Sequence, residues 1–308
     1  MIWWWLASMA FGGSGPWVPG SGSGSLYLGA DAQQYRKLSA TTDGERQSSE
    51  IGEGVNQFSL AGIVSYGVAP RAEVEVVVPV HFTHANREDA DLCGALGEGA
   101  CEKTHTVGTI QSHLKVLVAD ELAGAPISVS VAGVVRFGAL VAQFRDRLTN
   151  VGEGTLDGGA KVSVGKSGAL GEGYWSTSMD VTGLYRVPNT QRYPLQRGDR
   201  SVPGSELHLV LDSFFAPKRV VAIGPSANLF WRPSGTDFGE IELADVDRFG
   251  ALRVMQLNVG AKLVFRDTHD NAFVVGAFRT LHAVNNPSDQ IGLSVGIALN
   301  QLFQKRGT

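Results

Sequence analysis

Large apolar residues alternate with small or polar ones along most of this chain. The last long run, Ile291 to Phe303, shows it clearly: Ile291, Leu293, Val295, Ile297, Leu299 and Phe303 alternate with Gly292, Ser294, Gly296, Ala298 and Asn300, broken only at Gln301 and Leu302. Period two is the pattern of a β-strand with one greasy face and one small or polar face. Eleven earlier stretches repeat it, at 26–35, 55–68, 72–83, 104–118, 127–137, 156–164, 174–187, 205–215, 220–231, 251–266 and 272–281. No helical segment is available to cover these apolar faces. Only 139–148 breaks the pattern, with Leu140, Phe144 and Leu148 spaced by four, which predicts a helical turn or two in a loop or an inward-folded constriction. A sheet with nothing to pack on its greasy face can turn that face to lipid. Closing it on itself leaves no backbone group unpaired there.

The expected fold is therefore all-β: a single closed antiparallel transmembrane β-barrel of about twelve strands. Connections alternate between long and short, which predicts long extracellular loops, short periplasmic turns and both termini on the periplasmic side. Aromatics such as Tyr66, Phe82, Trp175, Tyr185, Phe215, Trp231, Phe265 and Phe303 fall toward strand ends, where interface girdles form. A soluble β-sandwich shares the alternation but not the loop asymmetry.

Composition fits this reading. The chain has 308 residues, 43% hydrophobic and 18% charged, with 39 glycines. A net charge of −4 demands no basic face, so no nucleic-acid partner is expected. No apolar run is long enough for a transmembrane helix. Residues 1–24 are expected to be an export signal and a flexible lead-in. Ile2 to Phe11 is a short apolar core, small residues follow it, and Gly20 to Ser25 is Gly/Ser-rich. Residues 25–308 form the barrel. Cys93 and Cys101 lie in one Gly-rich loop, which suits a disulfide in an oxidising compartment, with free thiols as the alternative. No metal and no cofactor is expected.

Three stretches carry a family resemblance: AEVEVVVPV at 72–80, the strand from Gly108 to Lys115, and GEGTLDGGAKVS at 152–163. With a terminal strand ending in Phe303, they resemble bacterial outer-membrane barrels labelled as MetA-pathway phenol-degradation proteins, which are related in style to FadL-like channels for hydrophobic compounds. The resemblance implies a transporter-type barrel in the outer membrane. Thr109 and the tail QKRGT after Phe303 depart from that group's pattern.

Strand parity turns one set of polar residues inward: Glu73, Glu75, His81, His113, Lys115, Arg136, Lys161, Asp180, Arg186, His208, Asp212, Asn258, Lys262 and Arg266. Arg279 is also expected inward, because a lipid-facing arginine costs about 2–4 kcal/mol at the bilayer midplane. Mixed charge signs along a lumen suit either a salt-bridged, plugged structural barrel or a narrow pore whose charges set selectivity. The small face of the 291–303 run (Gly292, Ser294, Gly296 and Ala298) predicts free room in the lumen beside the first strand. A lipid hydrolase is the enzymatic alternative, but the outward serines Ser112 and Ser213 have no outward histidine beside them in sequence. The expected partners are outer-membrane lipid, lipopolysaccharide and a small solute. Acidic loops at 87–102 and 237–247 read as solvated loops rather than cation sites, and Arg197-Gly198-Asp199 as a chance tripeptide.

Overall fold

A computed structural model describes residues 15–42, 45–85, 104–137, 156–187, 204–218, 220–235, 253–268 and 271–300. The strands are β1 (Gly24–Thr42), β2 (Glu45–Ala69), β3 (Ala72–Ala85), β4 (Thr104–Val107), β5 (Ile110–Ala119), β6 (Ser128–Phe137) and β7 (Leu156–Leu170). They continue as β8 (Gly173–Arg186), β9 (Glu206–Lys218), β10 (Val221–Arg232), β11 (Val254–Arg266), β12 (Ala272–Val284), β13 (Asn286–Pro287) and β14 (Ile291–Leu299). β4 and β5 both pair with β3, and β13 and β14 both pair with β1. Fourteen segments therefore make twelve staves. All pairs are antiparallel, and β1 closes the sheet by pairing with β14 on one side and β2 on the other.

Closure is what the chain's polarity requires. Exposed large apolar residues such as Leu28, Val64, Val116, Val162, Leu211 and Leu293 point outward. Their strand neighbours point in and are polar or small. In lipid every strand edge must be paired, and a closed antiparallel ring does this. The chain is thus an outer-membrane-type barrel. The connections at 70–71, 120–127, 171–172, 219–220 and 267–271 lie at one end, and those that follow β1 and β12 lie at the other. The sequence leads one to expect the first of these ends on the periplasmic side, where barrels of this type place their turns.

Four expectations change. The polar stretch 37–54 is mostly ladder rather than loop. β1 runs on to Thr42 and β2 starts at Glu45, with register preserved from Lys37–Glu50 to Thr42–Glu45 past a bulge at Tyr35–Lys37. Polar residues break the apolar alternation there while the ladder pairing continues. Arg279 points outward and is exposed, since Phe278 and Thr280 on either side of it are buried inward. Register fixes this: Asn258 lies opposite Thr280 and accepts a hydrogen bond from its hydroxyl at 2.8 Å. A one-residue slip would turn the whole strand over. Arg279 sits in a row where the outer face is already becoming polar, beside Gln34 and Asn56 across β14 and β1.

The room expected beside β14 is filled. The Tyr27 ring covers Gly29 and Gly296, and the Phe278 ring covers Gly292, so the small face of β14 is a seat for two aromatics rather than a passage. The single alternating run expected over 104–118 is also broken at Gly108 and Thr109. Gly108 donates its N–H to the Pro79 carbonyl at 2.8 Å and has the His81 ring packed against it. Cys93, Cys101, residues 139–148 and the loops at 87–102, 197–199 and 237–247 lie outside the described residues, as do the apolar core 2–11 and Phe303.

Replacing Gly296 with valine is expected to drive its side chain into the Tyr27 ring. Overpacking of this kind costs about 1–3 kcal/mol. Urea unfolding of refolded protein in detergent, followed by heat-modifiable gel mobility, measures it; an unchanged midpoint would mean that the ring is not held there.

Candidate functional site: the barrel lumen

The inward face is where charged chemistry collects. Glu73, Glu75, His81, His113, Lys115, Lys161, Asp180, Arg186, His208, Asp212, Asn258 and Lys262 all lie on it and are buried in the barrel interior. Arg136 and Arg266 point the same way and are half-buried. Cross-strand pairing brings most of them together, because directly opposed residues on one face stand about 5 Å apart. Glu73 lies opposite Lys115 and pairs with it at 2.9 Å, and Glu75 lies opposite His113 at 3.0 Å. Lys161 meets Asp180 at 2.8 Å, and Lys262 meets Asp212 at 2.7 Å.

A second cluster sits at the extracellular end. Arg136, Asp157 and Arg186 occupy one hydrogen-bonded row across β6, β7 and β8. Arg136 donates to Asp157 at 2.5 Å and to Glu206 at 2.8 Å. Glu206 also receives Arg232 at 2.7 Å and His208 at 3.1 Å, with Arg186 at 3.4 Å. One carboxylate thus serves three guanidiniums. With Asp157 counted and His208 neutral, the cluster carries three positive and two negative charges, a net of one positive at that mouth. Asp157 and Glu206 fell on the polar face by parity, but their role as hubs was not legible. Arg232 read as the start of a loop. The missing signal was register between strands, which puts Arg232 within reach of Glu206 only after β9 and β10 pair.

His81 and Asn258 belong to uncharged networks. Gln57 Nε2 approaches His81 Nδ1 at 3.3 Å and Ser59 at 3.1 Å contacts the same nitrogen. On the other wall Gln256 donates to Thr280 at 3.2 Å and to Gln290 at 2.6 Å, and Gln290 donates on to Gln33. Arg266 stacks over the Tyr174 ring at 5.1 Å. None of Gln33, Gln256 and Gln290 was a candidate from sequence.

The inward face is not polar throughout. Tyr27, Ile63, Val77, Phe214, Val264, Val274 and Phe278 are buried in one apolar cluster. Most of it comes from β9 to β2 around the ring, whereas the ion pairs come mainly from β3 to β9. The lumen therefore has a charged wall and, opposite it, buried apolar side chains beside an uncharged glutamine network.

Residues 15–23 run across the periplasmic mouth. The Gly15 N–H donates to Asp180 Oδ1 at 3.1 Å, Pro16 and the Trp17 ring pack on Gly165, and Gly22 donates to the Gly67 carbonyl at 2.8 Å. The stretch from Gly20, expected as a flexible lead-in, is thereby tied to β2 before β1 begins. Trp17 Nε1 donates to Glu121 Oε1 at 3.2 Å. Glu121 opens a 3-10 turn (Glu121–Ala123) between β5 and β6, and Ser167 donates to it from its N–H at 3.0 Å and from its hydroxyl at 2.5 Å. Partial burial pushes the Glu121 carboxyl up, but these hydrogen bonds and nearby Lys166 outweigh it and hold the group below the usual carboxylate range.

The outward serines are separated from any histidine. Ser213 shares a hydrogen bond with Thr177 at 2.9 Å, and Ser112 lies opposite Val76 and Val135.

No family model matches this chain, and no curated protein does. Among solved structures it is similar to the COG4313 outer membrane channel from Pseudomonas putida F1, with a TM-score of 0.61 and 15% identity over 94% of this chain and 98% of that one. Weaker likenesses are to the NanC porin, with a TM-score of 0.47 and 7% identity over 88% and 98% of the two chains, and to the TodX monoaromatic hydrocarbon channel, with a TM-score of 0.46 and 8% identity over 97% and 98%. The first of these establishes a shared barrel fold.

Two outcomes follow from the geometry. Glu206→Ala leaves Arg136, Arg186 and Arg232 crowded without their shared anion, and such a loss costs about 3–5 kcal/mol when the charges are buried. Chemical unfolding of the refolded variant reads this, and a change under 1 kcal/mol (roughly the value of an exposed pair) would mean that water carries the cluster. Glu121 supplies the pH dependence. Its folded carboxyl is held below its unfolded value, so its contribution is complete above the ordinary carboxylate range and fades as pH falls through the lowered value. The stability gap between wild type and Glu121→Gln should be present at pH 7 and close in acid; a gap independent of pH would exclude titration of this group as its source.

Proposed function

We propose that the protein is a passive outer-membrane channel for small solutes and that the charged wall of its lumen sets which ions and solutes pass. The observation that carries this is the two-sided lumen. Ion pairs on β3 to β9 face the lumen, while Tyr27, Phe214 and Phe278 line the opposite side. Such a lining suits a small amphipathic molecule with an apolar body and a polar end. The similar structure, an outer membrane channel, agrees in direction with this reading. The fourteen inward residues named from sequence act in it as selectivity and lining groups, with Lys115 and Arg136 the leading cations.

A second reading has its own observation. Residues 15–23 lie across the periplasmic mouth, as they would in a plugged barrel with a structural role. Catalysis is not part of either reading, since the outward serines have valine or threonine partners.

Conductance of the refolded protein in planar bilayers separates the two. The channel reading expects single-channel events, and expects Lys115→Glu with Arg136→Glu to move the reversal potential toward cation selectivity, as charge reversal in a lined pore does. Silence at every voltage would remove the channel and leave the plugged barrel.

A further inference from the structure

The outer surface carries a groove of about 730 Å³ that the pore does not use. It opens where small residues interrupt bulky ones along a single hydrogen-bonded row. Across β3, β2, β1, β14 and β12 that row reads Phe82, Phe58, Ala32, Leu293 and Ala277, all on the lipid side. Phe58 and Phe82 lie side by side, tilted at 39° with ring centroids 6.0 Å apart, and wall one edge. Leu293 walls the other, two strand spacings or roughly 10 Å away, with Ala32 as the floor between them.

The next outward row changes character. Asn56, Gln34, Ile291 and Arg279 follow one another there. Arg279 is exposed, and among the described residues no carboxylate or other group pairs with its guanidinium. It stands one residue pair above Ala277, on the side away from the periplasmic turns. Arg36 and Lys37, in the bulge of β1 just above Gln34, are exposed too. Asp289 Oδ1 accepts the backbone N–H groups of both Arg36 and Lys37 at 2.9 and 2.8 Å, and Glu50 is the ladder partner of Lys37. A lipid-facing arginine without a protein partner is costly unless its long stem carries it to an anion at the interface.

We propose that this groove and Arg279 form a binding site for the phosphorylated, multiply acylated glycolipid of the outer leaflet, lipopolysaccharide. An acyl chain lies over Ala32 between Phe58 and Leu293, and a headgroup phosphate takes the Arg279 guanidinium, a pairing favoured by its planar donor fork. The site's position selects the leaflet: it lies toward the end opposite the short turns, the end that faces outward in barrels of this type. The inference rests on the outer-membrane placement but not on conduction.

The test uses the full chain refolded in neutral detergent and titrated with bisphosphorylated lipid A, dephosphorylated lipid A, phosphatidylglycerol and inorganic phosphate. Native mass spectrometry counts the bound molecules, and heat-modifiable gel mobility confirms that each variant is folded. Wild type should retain bisphosphorylated lipid A in preference to the other three. Arg279→Gln removes a charge-assisted pair and should weaken that binding roughly tenfold, and Arg279→Lys should recover part of it. Ala32→Phe fills the groove and should abolish retention, with Ala277→Phe as the second filler if the first does not fold. Equal retention by wild type and Arg279→Gln, or by lipid A and phosphatidylglycerol, overturns the proposal and marks the groove as an unselective lipid contact. Bilayer conductance of Arg279→Gln should match wild type, so loss of lipid binding and loss of the pore reading are separate results.

Discussion

Backbone hydrogen bonding in a solvent that offers none is the constraint on which this molecule depends. Water pairs with an open strand edge, but hydrocarbon does not, and each unpaired amide there costs several kcal/mol. The sheet must close, and β1 does the closing by serving two partners, β14 through nine paired positions from Leu26–Leu299 to Gln34–Ile291 and β2 along its length. Close approach along that wall favours small residues. Gly29, Gly292 and Gly296 lie there, and the volume they release on the inside is taken by Tyr27 and Phe278. Seam and apolar wall are thus one structure.

Closure also decides where charge can reside. The outside belongs to lipid, so ionisable groups turn inward and meet one another across strands. Glu73 with Lys115 and Glu75 with His113 are paired simply because they are opposed in the ladder. The extracellular cluster is a further step, since one anion at Glu206 holds guanidiniums from β6, β8 and β10. Breaking such a hub leaves buried charge uncompensated, which is why it stiffens that mouth more than an exposed pair would.

Strand identity and facing were legible because period two is short-range. Val74, Val76 and Val78 against Glu73 and Glu75 state which side is wet without reference to any other strand. What was not legible depended on neighbours. Arg279 was assigned inward from its charge alone, whereas the pairing of Thr280 with Asn258 sets the phase of β12 and turns it out. Residues 37–54 carry no apolar alternation, and the absence of a greasy face hid a continuing ladder. The apolar wall escaped notice for a related reason: Phe214 and Val264 share a face with polar residues, so parity placed them inside but gave no reason to group them. Tyr27 over Gly296 is a contact between the first and last staves that no local window contains.

The β1–β2 hairpin is far taller than its neighbours. The 25 residues of β2 extend about 80 Å along the strand, or ~60 Å along the membrane normal at a usual tilt, against an apolar band of ~25 Å. One side of the barrel therefore rises as a parapet while the described strands opposite end lower. Among the described strands the rim is thus asymmetric, and whatever approaches from that end meets a backbone ladder standing above the neighbouring strands on one side.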